Sequence, residues 1–306
     1  MAEKLVVQFN QLPVYQSKLD YLVYCMNCKT YHINDEKTCI KCGKGEMHVS
    51  LEYIAEKTVK KRFLNGLGIL VILYSLMFSV SMSFKMMFLG TMSTAVSLIL
   101  YGLIYARYKE AYCKKELEKH VKANSDKIKA DLEMQWEQCK EQISAGYYLE
   151  AYEKLRYLSG LVDGEEIRAY KLMCLNHFHL RSDLPLELKT VLLTQCNMLL
   201  IRYIYEVSKV KKELIDEATI NYIINYKQQV LTEEKGEEIL ASVLGGALRS
   251  KFLLNKYAVV LKEYLTYLPK ERLLRLMKIQ DGILDPVLRA EIVSKLTVLV
   301  GEVRDA

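Results

Sequence analysis

From Phe63 to Tyr105 the chain carries one ionisable side chain, Lys85, apart from tyrosine phenols. A soluble domain does not present such a run, and its length is that of membrane-spanning sequence. As a single helix it would extend roughly 64 Å at about 1.5 Å per residue, twice the ~30 Å of a bilayer's hydrocarbon core. It must therefore fold back. The break is expected within Ser79-Val80-Ser81-Met82-Ser83-Phe84-Lys85, where small polar residues and the lone charge gather, which leaves spans of about 63–80 and 86–105. Lys57, Lys60, Lys61 and Arg62 precede the first span, Arg107, Lys109, Lys114 and Lys115 follow the second, and only Lys85 stands between them. Basic residues accumulate on the cytoplasmic side of short loops. The expectation is a two-pass integral protein of the plasma membrane with both termini cytoplasmic and the lipid bilayer as its first partner. The mid-membrane region lacks the ionisable or interrupted segments of a pore or transport path, so the hairpin reads as a tether. Gly90, Thr94, Ser93 and Ser97 provide small-xxx-small spacing, which favours close packing within the hairpin over a dimer seam.

The net charge of +6 divides into +3 over residues 1–62, +1 over 63–106 and +2 over 107–306. No segment is basic enough to read as a nucleic-acid footprint. Met1 to Asp20 mixes charge and polarity throughout, without the apolar core of a secretory signal. Of the eight cysteines, Cys113, Cys139, Cys174 and Cys196 are scattered through helical sequence, whereas Cys25, Cys28, Cys39 and Cys42 form two Cys-x-x-Cys pairs ten residues apart. A reducing compartment suits both groups.

Two residues between thiolates let one tight knuckle direct both sulfurs to a metal at about 2.3 Å, and two knuckles complete a tetrahedron. Gly43 relieves crowding after the second knuckle, and short strands are expected on either side, at 22–24 and 47–53. Over residues 20–55 this pattern resembles a zinc ribbon, the rubredoxin-like modules whose Cys-x-x-Cys and Cys-x-x-Cys-Gly knuckles hold structural zinc. The resemblance implies one Zn2+ on Cys25, Cys28, Cys39 and Cys42. Iron is the less favoured ion for four thiolates, and a redox dithiol would want a βαβ surround that is missing. Four thiolates close the coordination sphere, so no position is left for catalysis. His32 and His48 are then surplus as ligands, and are expected at the surface or just outside the metal's own ligands. Ribbons of this kind bind nucleic acid or protein, and tethering at a membrane favours the protein or a structural role.

After Arg107 apolar residues recur at three- and four-residue spacing to the end of the chain, a helical pattern. Residues 107–145 read as a stalk continuing the second span, with charges such as Asp131 and Glu133 on a solvated face. Gly146-Tyr147-Tyr148-Leu149-Glu150-Ala151 followed by Leu155 resembles the inter-helix turn of a tetratricopeptide repeat. A second copy about 34 residues on is missing, since Pro185 replaces the alanine, so the pattern implies an irregular stack of helical hairpins. Helix starts are expected at Ser182 or Asp183 before Pro185, at Thr232 to Gly236, at Pro269 and at Asp285-Pro286. Val191, Leu192, Leu199, Leu200, Ile204 and Val207 form a core-facing stripe. His177, His179 and Cys174 make no convincing ligand set, and Gly245-Gly246 lacks a phosphate-binding pattern.

The fold class expected is a mainly α membrane protein: a small β zinc ribbon over 1–58, a transmembrane helical hairpin over 59–106, the stalk over 107–145 and an all-helical cytoplasmic domain over 146–306. No catalytic residues are discernible. The function expected is that of a non-enzymatic scaffold or regulator that binds a cytoplasmic protein through its helical domain. The alternative is a membrane-tethered sensor or effector whose ribbon recognises nucleic acid or another signal.

Overall fold

The computed structural model describes residues 4–12, 15, 17–34, 38–39, 41–45, 47–80 and 84–304. The chain is mostly helical, with one small antiparallel sheet. It divides into two compact units, one formed by residues 14–138 and the other by 1–13 together with 139–306.

In the first unit the sheet has the order β2-β1-β3, from β1 (Leu22–Cys25), β2 (Tyr31–Ile33) and β3 (His48–Ser50). Val23 lies opposite His32 on one side and Ser50 on the other, while Cys25 pairs with His48. Strands this short leave edge groups that must find partners. The outer edge of β2 finds them on a helix, α3 (Ser125–Ser144). The Tyr31 N–H donates to Asp131 Oδ2 at 2.9 Å and the Ile33 N–H to Gln135 Oε1 at 3.0 Å, while Gln135 Nε2 returns a bond to the Tyr31 carbonyl at 3.1 Å. Asp131, expected on a solvated face, thus serves as part of a substitute strand. Gln135, 1% exposed, is buried in the same role.

Helix α1 (Leu51–Val80) follows β3 directly, and α2 (Phe84–Ala123) runs back along it. Of the segment where the break is expected, α1 reaches Val80 and α2 begins at Phe84, and residues 81–83 lie outside the described residues. The pair is fastened by Tyr74 Oη donating to Ser97 Oγ at 2.7 Å, by Phe63 stacked against Tyr101 and Tyr105, and by the bidentate Arg62–Glu116 pair at 2.6 and 2.9 Å. Gly66 sits directly under the Tyr101 ring, where an added Cβ would lie 2.2 Å from its hydroxyl. Along both helices the apolar side chains face outward: Ile69, Ile72 and Leu76 on α1, and Phe88, Leu89 and Leu103 on α2, are each more than half exposed. Among the described residues one helix, Met87–Ala123, is long and apolar enough to cross a membrane, and none of its apolar window is buried in the protein.

The second unit contains α4 (Tyr148–Leu161), α5 (Glu165–Asn176), α6 (Met198–Val210), α7 (Glu217–Asn225), α8 (Lys227–Val230), α9 (Gly236–Leu244), α10 (Lys251–Glu263), α11 (Lys270–Ile279) and α12 (Pro286–Arg304). Gly146 ends α3 at φ +85°, a backbone angle that favours glycine, and Ala151 and Leu155 beyond it are fully buried. Starts at Gly236, after Pro269 and at Pro286 match the sequence signals, and Asp285 Oδ1 accepts from the Val287 and Leu288 N–H groups. Pro185 starts no helix. Residues 177–197 form instead an ordered connection with one short 3-10 turn, whose Phe178, Leu184 and Val191 fill the core. Of the expected stripe, Val191, Leu200, Ile204 and Val207 are buried, while Leu199 is 40% exposed.

That connection is stabilised by a partner the sequence did not indicate, the N-terminal residues 4–12. The Leu5 N–H donates to the His177 carbonyl, and the His179 N–H donates back to Leu5. Phe9, 5% exposed, packs against the Tyr152 and Phe178 rings. The Asn10 carbonyl accepts from Arg156 Nη1 at 2.7 Å, and Lys4 pairs with Glu206. Beneath this arm Glu187 accepts from Arg156 Nε at 3.0 Å and pairs with Lys171, whose side chain is 0% exposed. Burial pushes the Glu187 carboxyl up. The Lys171 ammonium and the bonds from Thr190 and Arg156 outweigh this and hold it below its ordinary value. Burial also lowers Lys171, so the pair depends on the carboxylate that these donors keep charged.

Glu187→Gln should therefore cost about 3–5 kcal/mol, the range for a buried ion pair that loses one partner. The loss should appear as faster amide exchange across α4 to α6. Because the folded carboxyl titrates below the unfolded one, its contribution is complete above the ordinary carboxylate pKa and is lost as pH falls through the lower folded value. The difference between Glu187→Gln and wild type should accordingly narrow in acid.

Candidate metal centre

The four cysteines converge through two loops of the same construction. In the first, Cys25 ends β1, the Lys29 N–H donates to the Cys25 carbonyl at 2.8 Å, and Lys29 adopts φ +61°. In the second, the Gly43 N–H donates to the Cys39 carbonyl at 2.7 Å with Gly43 at φ +68°. Each turn thus places one residue after its second cysteine in the left-handed region. Glycine is suited to that position, and Lys29 shows that the first loop enforces the same geometry on a residue with a Cβ. A further bond, from the Met26 N–H to the Met47 carbonyl at 2.9 Å, ties the first loop to the residue before β3.

Cys25, Cys28, Cys39 and Cys42 bring their Sγ atoms within 4.8 Å of one another. Cys25 and Cys42 are 3.7 Å apart, and Cys28 and Cys39 3.4 Å. Four sulfurs at about 2.3 Å from a tetrahedral ion stand about 3.8 Å apart. The observed spacing approaches that figure and is far longer than the ~2.05 Å of a disulfide, so the cluster can hold a metal ion. Burial pushes the Cys25 thiol up to about 11. The Lys44 backbone N–H and other donors pull the Cys42 thiol down to about 6. Cys28 falls below its ordinary value although burial opposes it, because the Thr30 hydroxyl and neighbouring thiols bond to the charged form. A cation among the sulfurs would favour the thiolate at every position.

His32 is 1% exposed, and its Nε2 lies 3.1 Å from Cys39 Sγ and 2.8 Å from Thr30 Oγ1, which is itself 2.9 Å from Cys28 Sγ. Opposite Val23 on β2, His32 occupies the same sheet face as Cys25 and His48, because residues two apart on a strand share a face. His32, Cys39 and His48 thereby form a second group of donors within 4.8 Å. Since Cys39 belongs to both groups and four sulfurs already complete a tetrahedron, the imidazole at Cys39 is placed to hold a sulfur rather than the ion. Thr30, missed in the sequence, connects the two; its only signal is its place two residues after Cys28. The remaining cysteines lie apart from the cluster. Cys139 and Cys174 are buried in the second unit, and burial pushes Cys174 up to about 12. His177 stacks on Tyr148 and His179 bonds to the N-terminal arm, so they form no site with Cys174.

Compared with protein-family profiles, curated proteins and solved structures, the chain matches none. The case for the centre therefore rests on its own geometry.

Elemental analysis of the purified chain should find one equivalent of metal, lost in Cys25→Ser and Cys42→Ser but retained in His48→Ala. Equal metal content in the wild type and both serine variants would remove the cluster as its site.

Proposed function

We propose that the chain is a two-pass plasma-membrane protein, non-enzymatic, that works as a scaffold or regulator: its helical domain binds a cytoplasmic protein, and a zinc ribbon on Cys25, Cys28, Cys39 and Cys42 has a structural role. The observation that carries the reading is the pairing of a closed four-sulfur cluster with a helical hairpin whose apolar side chains face outward. Four sulfurs leave no coordination position for a substrate. Zinc is favoured over iron because it suits a tetrahedral thiolate site with no redox role.

The two-pass topology draws on α1 as well as α2. Between Phe63 and Val80 there is no ionisable group except the Tyr74 phenol, and its outward Ile69, Ile72 and Leu76 are each more than half exposed. The basic residues on both flanks favour cytoplasmic ends. Partner binding is assigned to the helical domain because it exposes large apolar groups, Phe252 and Leu284 on one groove and Val287 beyond them in the chain.

Two measurements test this. Trypsin added to right-side-out vesicles should cleave at Lys85 alone, whereas inverted vesicles should lose both terminal regions; cleavage of the termini from outside would reverse the topology. Affinity capture of the full-length chain from solubilised membranes, read by mass spectrometry, should recover a stoichiometric soluble protein that Phe252→Asp or Leu284→Asp releases. Recovery of nucleic acid in its place would support the sensor reading, and recovery of neither would sink the scaffold.

A further inference from the structure

Where α1 and α2 leave the apolar block, they line an open groove of about 650 Å³. It is lined by the aromatic and apolar side chains of Phe63, Ile104 and Tyr105, and beyond them by Lys115, Lys119 and Lys122 with Glu118 among them. Positions 115, 119 and 122 follow four- and three-residue spacing and so share one helix face. All three lysines are exposed. Arg62, also on the rim, is engaged by Glu116 in a bidentate pair, but the three lysines have no carboxylate partner among the described residues. A second groove beside it, which shares Tyr105, adds Lys57, Lys60 and Lys61.

An apolar floor at the end of a membrane helix, beside basic groups that outnumber the carboxylates of the lining, suits an amphiphile with an anionic head. We propose that this groove binds an anionic phospholipid, its acyl chain against Phe63 and Ile104 and its phosphate drawn to Lys115, with Lys119 and Lys122 contributing attraction from further out. The proposal rests on the two-pass reading above, which sets Phe63 and Tyr105 at the edge of the hydrocarbon and the lysines on the cytoplasmic side. Long basic side chains at such an edge extend toward the headgroups while their methylenes cover apolar surface. Basic grooves between membrane helices are sites of this type. Arg62 is paired with Glu116, which leaves the three lysines as the basic groups without a carboxylate partner. A zwitterionic lipid would fill the floor equally well and gain nothing from the rim. Selection therefore depends on net headgroup charge.

The test uses the full chain, reconstituted in vesicles of equal phosphatidylglycerol and phosphatidylcholine, re-extracted in mild detergent and assayed for retained lipid by mass spectrometry. Wild type should retain phosphatidylglycerol preferentially. The triple variant K115Q/K119Q/K122Q should lose that preference at least about fivefold, and K235Q/K278Q/K295Q, with the same change in net charge at exposed sites of the helical domain, should keep it. Equal preference in wild type and the groove variant would overturn the site, as would equal loss in both triples, which would make the effect one of overall charge. A chain that leaves the vesicles in alkaline carbonate would overturn the membrane reading together with the site, whereas a chain that stays embedded without preference overturns only the site.

Discussion

The small sheet depends on hydrogen bonds that it cannot make alone. Three strands of three or four residues bury little, and an isolated ribbon of that size is marginal. Here the outer edge of β2 is completed by Asp131 and Gln135, whose side chains take the positions of a neighbouring strand's carbonyls. Tyr31, on the same strand, places its hydroxyl 3.0 Å from His120 Nε2 on α2. The sheet carries Cys25 at the end of β1, so the helix that completes it also helps to hold one sulfur of the cluster. A metal ion and an edge-covering helix are two solutions to the same shortage of buried area, and this chain has the elements of both.

A similar economy operates in the second unit. Its helices surround an irregular connection, residues 177–197, that would expose backbone groups if it stood free. The N-terminal arm bonds to that connection at Leu5, while Phe9 fills the space between Tyr152 and Phe178. Arg156 spans the two, with one nitrogen on the arm's Asn10 carbonyl and another on Glu187. The carboxylate is stable in the interior because each buried charge near it has a partner. Residues distant along the chain thus become one network, which helps explain why a helical domain tolerates a stretch of about twenty residues without an α-helix.

Parts of this were legible in advance. The cysteine spacing and Gly43 pointed to two knuckles, the apolar run with its polar centre to a helical hairpin, and Pro269, Asp285 and Gly146 to helix boundaries. Each signal lies within a few residues, where covalent geometry and helix periodicity leave few options. The role of Asp131 is illegible in the sequence for the opposite reason. A charged residue on an amphipathic helix has the same local pattern whether it faces water or an unfilled strand edge. Pro185 likewise satisfies the local rule for a helix start, yet the residues after it contribute more by burying Leu186, Leu188 and Val191 in extended and turn conformations.

By itself the sequence determined which four thiols could gather at one centre and the apolar character of the hairpin, because thiol spacing and the absence of charge are properties of the chain before it folds. Only the tertiary structure decided that Tyr31 would bond to a residue 100 positions away and Arg181 to one 174 positions away. It also decided that His32 would sit against Cys39. Such pairings leave no periodic trace in the sequence. They are selected by which unpaired backbone groups and buried charges remain once the local elements have formed.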